Sequence, residues 1–338
     1  MKKIFYVAGK SGGHIIPALT HAEQFLQSHP EYEIGMFTTD ALLDRQLLAA
    51  TKVIHQHVPL ALGTVKRSSL LDYPRAIGGL MRAWRCSLKV LRREKPEKVI
   101  SMGGYVSIPV CLAAWFLRIP FEIYELNVVP GAAAKFLAPF ATHIFVCFEK
   151  TKAFFSKKKT SFAAYPIRFS ETDRADTATA RQKLGLDPHK KTIFVIGGSQ
   201  GSHVLNTLIQ TFIEQTGRHD LQMLHQTGAQ AIDEVRAWYQ QHNIAALVFP
   251  YRDDIQWCYA AADLVITRAG AGALHELIFF GKPAIIIPLE VATTGHQVDN
   301  AQAVVAQDPL RWCMLRQAEF ANEPRLFYEA VDRFLAKD

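Results

Sequence analysis

Short apolar runs rich in β-branched and aromatic residues alternate along this chain with segments whose apolar positions recur every three or four residues. Runs of the first kind suit buried strands and segments of the second suit amphipathic helices. The alternation therefore predicts parallel sheets covered by helices, an α/β fold. Expected strands in the first half are Lys3–Ala8, Glu33–Thr38, Val53–Val58, Lys98–Ser101, Phe121–Tyr124 and His143–Cys147. A second series is expected at Thr192–Ile196, Gln222–His225, Ala246–Pro250, Leu264–Thr267 and Ala284–Pro288. Between the series, Lys157–Lys159 and the polar stretch through Asp187 read as a linker and the entry to a second domain.

The segment Leu70–Arg93 has helical spacing. Tyr73, Ile77, Leu80, Met81, Trp84, Leu88 and Leu91 form one stripe, with Arg75, Arg82, Arg85, Lys89 and Arg93 opposite or beside it. Such a stripe either packs on a core, the commoner outcome, or lies on a membrane surface. Gly78-Gly79 is a candidate break.

The two strand series begin alike. KKIFYVAGKSGGHIIPAL from Lys2 and KKTIFVIGGSQGSHVLNTL from Lys190 share a basic pair, an apolar strand, a glycine turn ending in His and an amphipathic helix. That repetition predicts two Rossmann-like domains with glycine turns at the carboxyl ends of their first strands, where open parallel sheets bind ligands. Facing each other, they would leave a cleft between the glycine loops.

Composition supports two cores. At 338 residues, 49% of them hydrophobic, the chain exceeds one typical core. After the basic start come only five apolar residues, and no run approaches the roughly 18 that a spanning helix needs, so neither a signal peptide nor a membrane-crossing helix is expected. Cys86, Cys111, Cys147, Cys258 and Cys313 are scattered without a CxxC pair, arguing against a disulfide framework or zinc site. Charge is uneven: residues 1–162 hold 22 Lys+Arg against 11 Asp+Glu, and the rest hold 16 against 20. An anionic partner for the first half is expected. No nucleic-acid-binding motif accompanies the basic residues, which favours an acidic membrane surface over nucleic acid.

Neither glycine loop fits a dinucleotide or P-loop fingerprint. Gly197–Ser202 follows a strand and opens a helix, so its backbone N–H groups and the helix dipole suit a phosphate. A third turn, Met102-Gly103-Gly104-Tyr105-Val106-Ser107, belongs on the same rim as Gly9–His14. His14 reads as a general base, a helix-entry donor or a satisfied buried histidine. Glu125, directly after a strand, could hold His14 in one tautomer, act as a base itself, or cap Asn127 and its neighbours. In Ala262–Val304, small residues Ala269–Gly272 let a ligand approach the backbone, and Glu276 on the next helix could grip two vicinal ribose hydroxyls. The bland alternative is a helix with Glu near its positive end.

GGH before IIPAL, GGYVSIP, ELN after a strand, YPIR at Tyr165–Arg168, GGSQGSHVLN, LHQTG, and TRAGA…HELIFFGKPAIIIP…HQVDNA occur in the order seen in the MurG family, and the chain resembles that family over nearly its whole length. The resemblance implies the GT-B fold: two Rossmann-like domains facing across a cleft. It implies residues 1–163 as the acceptor domain with a membrane-facing patch, completed by a C-terminal helix at 323–338, and residues 164–322 as the UDP-sugar domain. The implied reaction moves N-acetylglucosamine, with inversion, from UDP-N-acetylglucosamine to the 4-hydroxyl of N-acetylmuramic acid in lipid I.

Carried over residue by residue, the resemblance puts Ser199, Gln200 and Arg168 at the donor phosphates, the backbone near Arg252 at uracil, Glu276 on the ribose, and Gln297 and Asn300 toward the sugar. Gly12, Gly13, Gly103, Gly104, Tyr105 and Asn127 fall on the acceptor side. His14 becomes the favoured base, with Glu125 nearby. No metal or other cofactor is implied, and no DxD-type cluster is evident. The implied location is peripheral, on the cytoplasmic face of the anionic bacterial inner membrane, with cell-wall synthesis proteins as further partners. Lys10, Leu126, Ala273 and His296 depart from the family's usual glycine, glutamine, threonine and glutamine. Alternatives are another GT-B enzyme, such as a glycolipid glycosyltransferase or UDP-N-acetylglucosamine epimerase, and an inactive nucleotide-binding regulator.

Overall fold

The structure, a computed structural model, describes residues 2–9, 12–49, 51–62, 72–198, 201–290 and 295–336, with the backbone alone for 72–75. It divides into two compact units, Met1–Arg168 and Phe169–Asp338. The boundary falls after Arg168 rather than after residue 163.

The first unit runs β1 (Lys2–Val7), α1 (Gly12–Ser28), β2 (Tyr32–Thr39), α2 (Leu42–Ala49), β3 (Gln56–Leu60), α3 (Asp72–Glu94), β4 (Lys98–Ser101), α4 (Ser107–Phe116), β5 (Phe121–Glu125), α5 (Ala132–Leu137), β6 (His143–Val146) and β7 (Thr160–Phe162). All seven strands are parallel, in the order β3-β2-β1-β4-β5-β6-β7. The inner strands are continuous apolar runs because helices cover both faces. Phe5, Val7, Val99, Ile123 and Ile144 bury one face against α3, α4 and α5. Pro59 sits in β3, an edge strand, where its missing N–H costs no ladder bond.

The second unit runs α6 (Thr177–Leu184), β8 (Thr192–Ile196), α7 (His203–Thr216), β9 (Gln222–Gln226), α8 (Ile232–Gln241), β10 (Ala245–Phe249), α9 (Gln256–Ala261), β11 (Leu264–Thr267), α10 (Ala271–Phe280), β12 (Ala284–Ile286), α11 (His296–Val305), β13 (Trp312–Met314), α12 (Gln317–Asn322) and α13 (Arg325–Leu335). Its six parallel strands lie in the order β10-β9-β8-β11-β12-β13. Buried Arg181 on α6 pairs with Asp263 at 2.5 Å, tying α6 to the start of β11.

Three features differ from the sequence reading. Strands β7 and β13 are three residues each, too short to show a period, and each lies at a sheet edge. Helix α3 runs unbroken through Gly78-Gly79, and its buried face is Gly79, Ala83, Ser87 and Leu91. Small side chains there admit α4, so the larger apolar stripe is displaced outward: Leu80, Trp84 and Leu88 are half-buried, while Ile77 and Met81 are 57% and 48% exposed. Leu70 lies outside the described residues, as do the side chains of Tyr73 and Arg75.

The third is a correction. The C-terminal helix does not complete the first domain; α13 packs on the second sheet beside β11 and β12. Phe327, Val331, Phe334 and Leu335 share one helix face and join the core of Phe212 and Ile213. Arg218 bonds Asp332 at 2.7 Å and Tyr328 bonds Gln215 at 2.6 Å, fixing the helix from its polar edge.

Candidate active site

In the first sheet the chain direction of winding reverses between β1 and β4, so the loops after these strands diverge and open a crevice at their carboxyl ends. Met102 N donates to Val7 O at 3.0 Å, holding the second loop beside the first. His14, in the first turn of α1, has Nδ1 2.8 Å from Met102 O. A carbonyl only accepts, so Nδ1 carries the hydrogen and Nε2 carries the basic lone pair of the neutral ring. Gly103 has φ +94°, and a Cβ there would stand 3.1 Å from His14 Cε1 and 3.2 Å from Nδ1. At Gly104, φ +82°, a Cβ would stand 3.2 Å from Gly9 O. Both positions therefore need glycine for backbone conformation and for room. Gly12, Gly13, His14, Gly103 and Gly104 are thus brought together; Lys10 lies outside the described residues.

Glu125 ends β5 and is buried. Its Oε1 accepts from Asn127 N at 3.0 Å and Nδ2 at 3.4 Å, and its Oε2 accepts from Gly131 N at 3.1 Å. Burial raises its pKa, with the Asn127 and Gly131 bonds pulling the other way. Of the three roles open to Glu125, capping the 126–131 turn is the one these contacts carry; Met102, not Glu125, bonds His14 Nδ1. Thr151 donates to the carbonyls of Asn127 and Val128, bracing the same turn. Leu126 is buried. Tyr105 donates its hydroxyl to Leu62 O at 2.8 Å, so it joins the loops after β4 and β3.

Two polar residues here, half-buried His21 and buried Asp44, escaped the sequence reading. His21, two turns beyond His14 on α1, lies between the hydroxyls of Tyr6 at 2.7 Å and Tyr124 at 3.0 Å, and burial lowers its pKa to about 4. The seven-residue spacing in GGHIIPALTH was the available signal. Asp44 on α2 accepts from Thr39 N and Oγ1, and a Cβ on Gly9 would stand 3.1 Å from its Oδ2.

The second sheet reverses between β8 and β11. Its glycine loop follows β8 and enters α7, whose N-cap Ser202 accepts from Leu205 N at 3.4 Å. Gly201 has φ +74°, and a Cβ there would fall 1.9 Å from Thr227 O, so loop and strand end meet backbone to backbone. Gln226 Nε2 donates to Gly198 O at 3.1 Å from the same side. Ser199 and Gln200 lie outside the described residues. Arg268, directly after β11, went unnoticed in the sequence although it stands in the TRAGA motif. It is 6% exposed and reaches Ser202 Oγ from Nε at 3.0 Å and Nη2 at 2.7 Å, and burial lowers its pKa to about 10.

Glu276 lies midway along α10, where buried Tyr259 donates to its Oε2 at 3.2 Å. Asn300 is buried on α11 and donates to Ala269 O at 3.3 Å, while Gln297 Oε1 accepts from Leu289 N at 2.9 Å. The loops after β11 and β12 are therefore both pinned to α11. Ala273 is half-buried on α10, and His296 begins α11 with its pKa lowered by burial. Arg252 makes a bidentate bond to Asp254 at 2.8 Å from both nitrogens, which raises its own pKa and lowers that of Asp254. Arg168 is half-buried at the end of the first unit.

Away from the crevice, the first unit presents Ile77 and Met81 of α3 together with Trp115, Phe116 and Phe136, the last three more than half exposed. Ring contacts Trp84–Phe116 at 5.9 Å and Trp115–Phe140 at 5.1 Å show that α3, α4 and the turn after α5 share this surface. Exposed Arg82, Arg85 and Lys89 flank it. Among the described residues no helix is long and apolar enough to cross a membrane, and no group of three or more His, Cys, Asp or Glu could hold a metal ion.

Two Rossmann-like units, each with a glycine turn at its sheet's reversal point, define the GT-B fold class. Residues 4–146 match the glycosyltransferase family 28 N-terminal domain and residues 192–336 match the family 28 C-terminal domain. The chain is 33% identical over 329 residues to a UDP-N-acetylglucosamine--N-acetylmuramyl-(pentapeptide) pyrophosphoryl-undecaprenol N-acetylglucosamine transferase of Myxococcus xanthus, covering 96% of this chain and 82% of that one. Among solved structures, Acinetobacter baumannii MurG aligns with a TM-score of 0.75 at 26% identity, over 98% of this chain and 92% of that chain. The chain belongs to the MurG family. A UDP-GlcNAc 2-epimerase from Neisseria meningitidis aligns with a TM-score of 0.58 at 13% identity over 98% of this chain and 94% of that chain, a likeness of fold alone.

Proposed function

We propose that this protein transfers N-acetylglucosamine from UDP-N-acetylglucosamine to the 4-hydroxyl of N-acetylmuramic acid in lipid I, inverting the anomeric centre. The observation that carries this reading is His14: its Nδ1–H is committed to the Met102 carbonyl, which leaves Nε2 as the proton acceptor at the first unit's reversal point. In one displacement His14 Nε2 takes the hydroxyl proton, the oxygen bonds to the donor's anomeric carbon, and the bond from that carbon to the diphosphate breaks, releasing UDP. Glu125 shapes the adjoining turn through Asn127 and Gly131 rather than moving a proton. In the second unit the 197–202 loop and the α7 N-terminus receive the diphosphate charge, and Glu276, oriented by Tyr259, takes the ribose hydroxyls. Asn300 and Gln297 hold the loops around the sugar.

The exposed aromatic surface with its basic flank suits peripheral attachment to the cytoplasmic face of an anionic membrane, where a lipid-linked acceptor would lie. Purified protein is expected to transfer labelled N-acetylglucosamine from its UDP derivative to a lipid I analogue. His14→Ala should cut kcat by roughly 100- to 10,000-fold while leaving UDP affinity within about twofold. Absence of transfer with intact acceptor, or donor turnover without acceptor, would overturn the assignment in favour of a binding protein or an epimerase. Unchanged kcat in His14→Ala would remove the histidine as base.

A further inference from the structure

Beneath the second unit's glycine loop lies a charge that none of the described residues neutralises. Arg268 is 6% exposed, and its acceptors are all uncharged: Ser202 Oγ, the carbonyls of Ile287 at 3.3 Å and Pro288 at 3.4 Å, and Gln317 Oε1 at 3.4 Å. Among the described residues no carboxylate pairs with it. A desolvated guanidinium without a counter-charge is costly, and this one stands at the positive end of the α7 dipole, which adds to the cost. Both effects are relieved by an anion at the same place.

Ser202 links that charge to the loop. Its oxygen receives Nε–H and Nη2–H from Arg268 and the longer bond from Leu205 N, which occupy the lone-pair side of the hydroxyl. A hydroxyl has one hydrogen and two lone pairs, so the O–H is left to donate away from Arg268. No acceptor for it is present among the described residues. Gln226 provides an independent sign of a ligand at the loop: it is 3% exposed, its Nε2 holds Gly198 O, and its Oε1 is buried without a donor among the described residues. An inorganic diphosphate leaves that oxygen unsatisfied, whereas a nucleoside diphosphate carries N–H and O–H groups beside its phosphates.

We propose that Ser202 is a phosphate ligand for the nucleoside diphosphate donor, its hydroxyl donating to a phosphate oxygen, and that Arg268 is the positioning residue that enforces this donation and supplies the compensating positive charge. The assignment rests on the reading of the second unit as a UDP-sugar site. It adds to the diphosphate cradle a side chain and a buried cation outside the residues that the family resemblance supplied.

The test uses the full chain and competition binding of UDP and uridine in wild type, Ser202→Ala, Ser202→Thr and Arg268→Met, with thermal melts to confirm folding. Loss of a hydrogen bond to a charged group predicts a UDP affinity lower by roughly 10- to 100-fold in Ser202→Ala, with uridine affinity changed by less than about threefold. Ser202→Thr, which keeps the hydroxyl, should retain UDP affinity, and Arg268→Met should lower the ratio of UDP to uridine affinity as Ser202→Ala does. A structural loosening would weaken both ligands alike; an unchanged UDP-to-uridine ratio in folded Ser202→Ala or Arg268→Met overturns the proposal. Failure of the wild type to bind UDP would instead overturn the donor-site reading beneath it. Should Arg268→Met fail to fold, Ser202→Ala with its threonine rescue decides the question.

Discussion

Replacing Gly201 by alanine probes how the donor loop is built. Gly201 has φ +74°, and an added Cβ would lie 1.9 Å from Thr227 O, 2.4 Å from its carbonyl carbon and 2.7 Å from Gly228 N. Thr227 cannot simply give way: it is buried, its N–H donates to Phe249 O at 3.1 Å, and its hydroxyl donates to Gly228 O at 3.0 Å. Gly217, which ends α7 with φ +64°, provides the control, because a Cβ there meets nothing within 4 Å. Alanine at Gly217 meets only the left-handed backbone cost, about 1 kcal/mol after the reduced entropy of the unfolded chain is allowed for. At Gly201 the same cost is joined by overpacking against backbone, of about 1–3 kcal/mol, so roughly 2–4 kcal/mol in all.

Urea denaturation of both variants measures the difference as a shift in midpoint at unchanged slope. Gly201→Ala should also weaken UDP binding, since the loop can relieve the clash only by lifting off Thr227, whereas Gly217→Ala should not. Equal destabilisation of the two variants, or a Gly201→Ala protein with wild-type stability and UDP affinity, would refute the backbone-on-backbone packing of this loop.

Acid should destabilise the first unit through His21. Its folded pKa is about 4 against an ordinary 6.5, so between those values the unfolded chain binds more protons, and stability is full above pH 6.5 and falls as pH drops toward 4. The shift corresponds to roughly 3 kcal/mol; midpoints at pH 7 and pH 4.5 should therefore differ more in wild type than in His21→Gln, and equal pH dependence would count against a desolvated neutral histidine. The exposed surface of α3 makes a separate prediction. Ile77→Ser with Met81→Ser should weaken sedimentation with anionic vesicles by about tenfold or more while leaving UDP affinity unchanged, since each inserted side chain is worth about 1.5–3 kcal/mol. Vesicle binding equal to wild type would move the membrane contact elsewhere.

Local pattern determined the elements of this protein to within a few residues. The runs at Lys98–Ser101, Thr192–Ile196 and Leu264–Thr267 are strands with those same bounds, because strands buried on both faces must be continuous apolar segments wherever they occur. The repeated strand–glycine–helix opening likewise announced two Rossmann-like units and both reversal-point loops; in the second loop Gly198 and Gly201 sit at φ above zero, which needs glycine whatever surrounds it, and in the first a Cβ on Gly9 would press on Asp44 and Thr39. Tertiary structure decided the partners. Spacing left Glu125 three roles, and only the folded turn puts Asn127 N and Gly131 N on its oxygens. The stripe on α3 indicated a helix but not which face α4 would cover, and the small residues Ala83 and Ser87 took it because they allow close approach. The α13 segment has an apolar face that any sheet could accept; its placement followed from Phe212 and the polar anchors on Arg218 and Gln215. Arg268 carries the same lesson for function: in sequence it is one more basic residue, and its meaning lies in being buried against a hydroxyl sixty-six positions away. Periodicity along a chain encodes burial, which is local, whereas the partner of a buried polar group is chosen by contacts between distant segments, which only folding brings together.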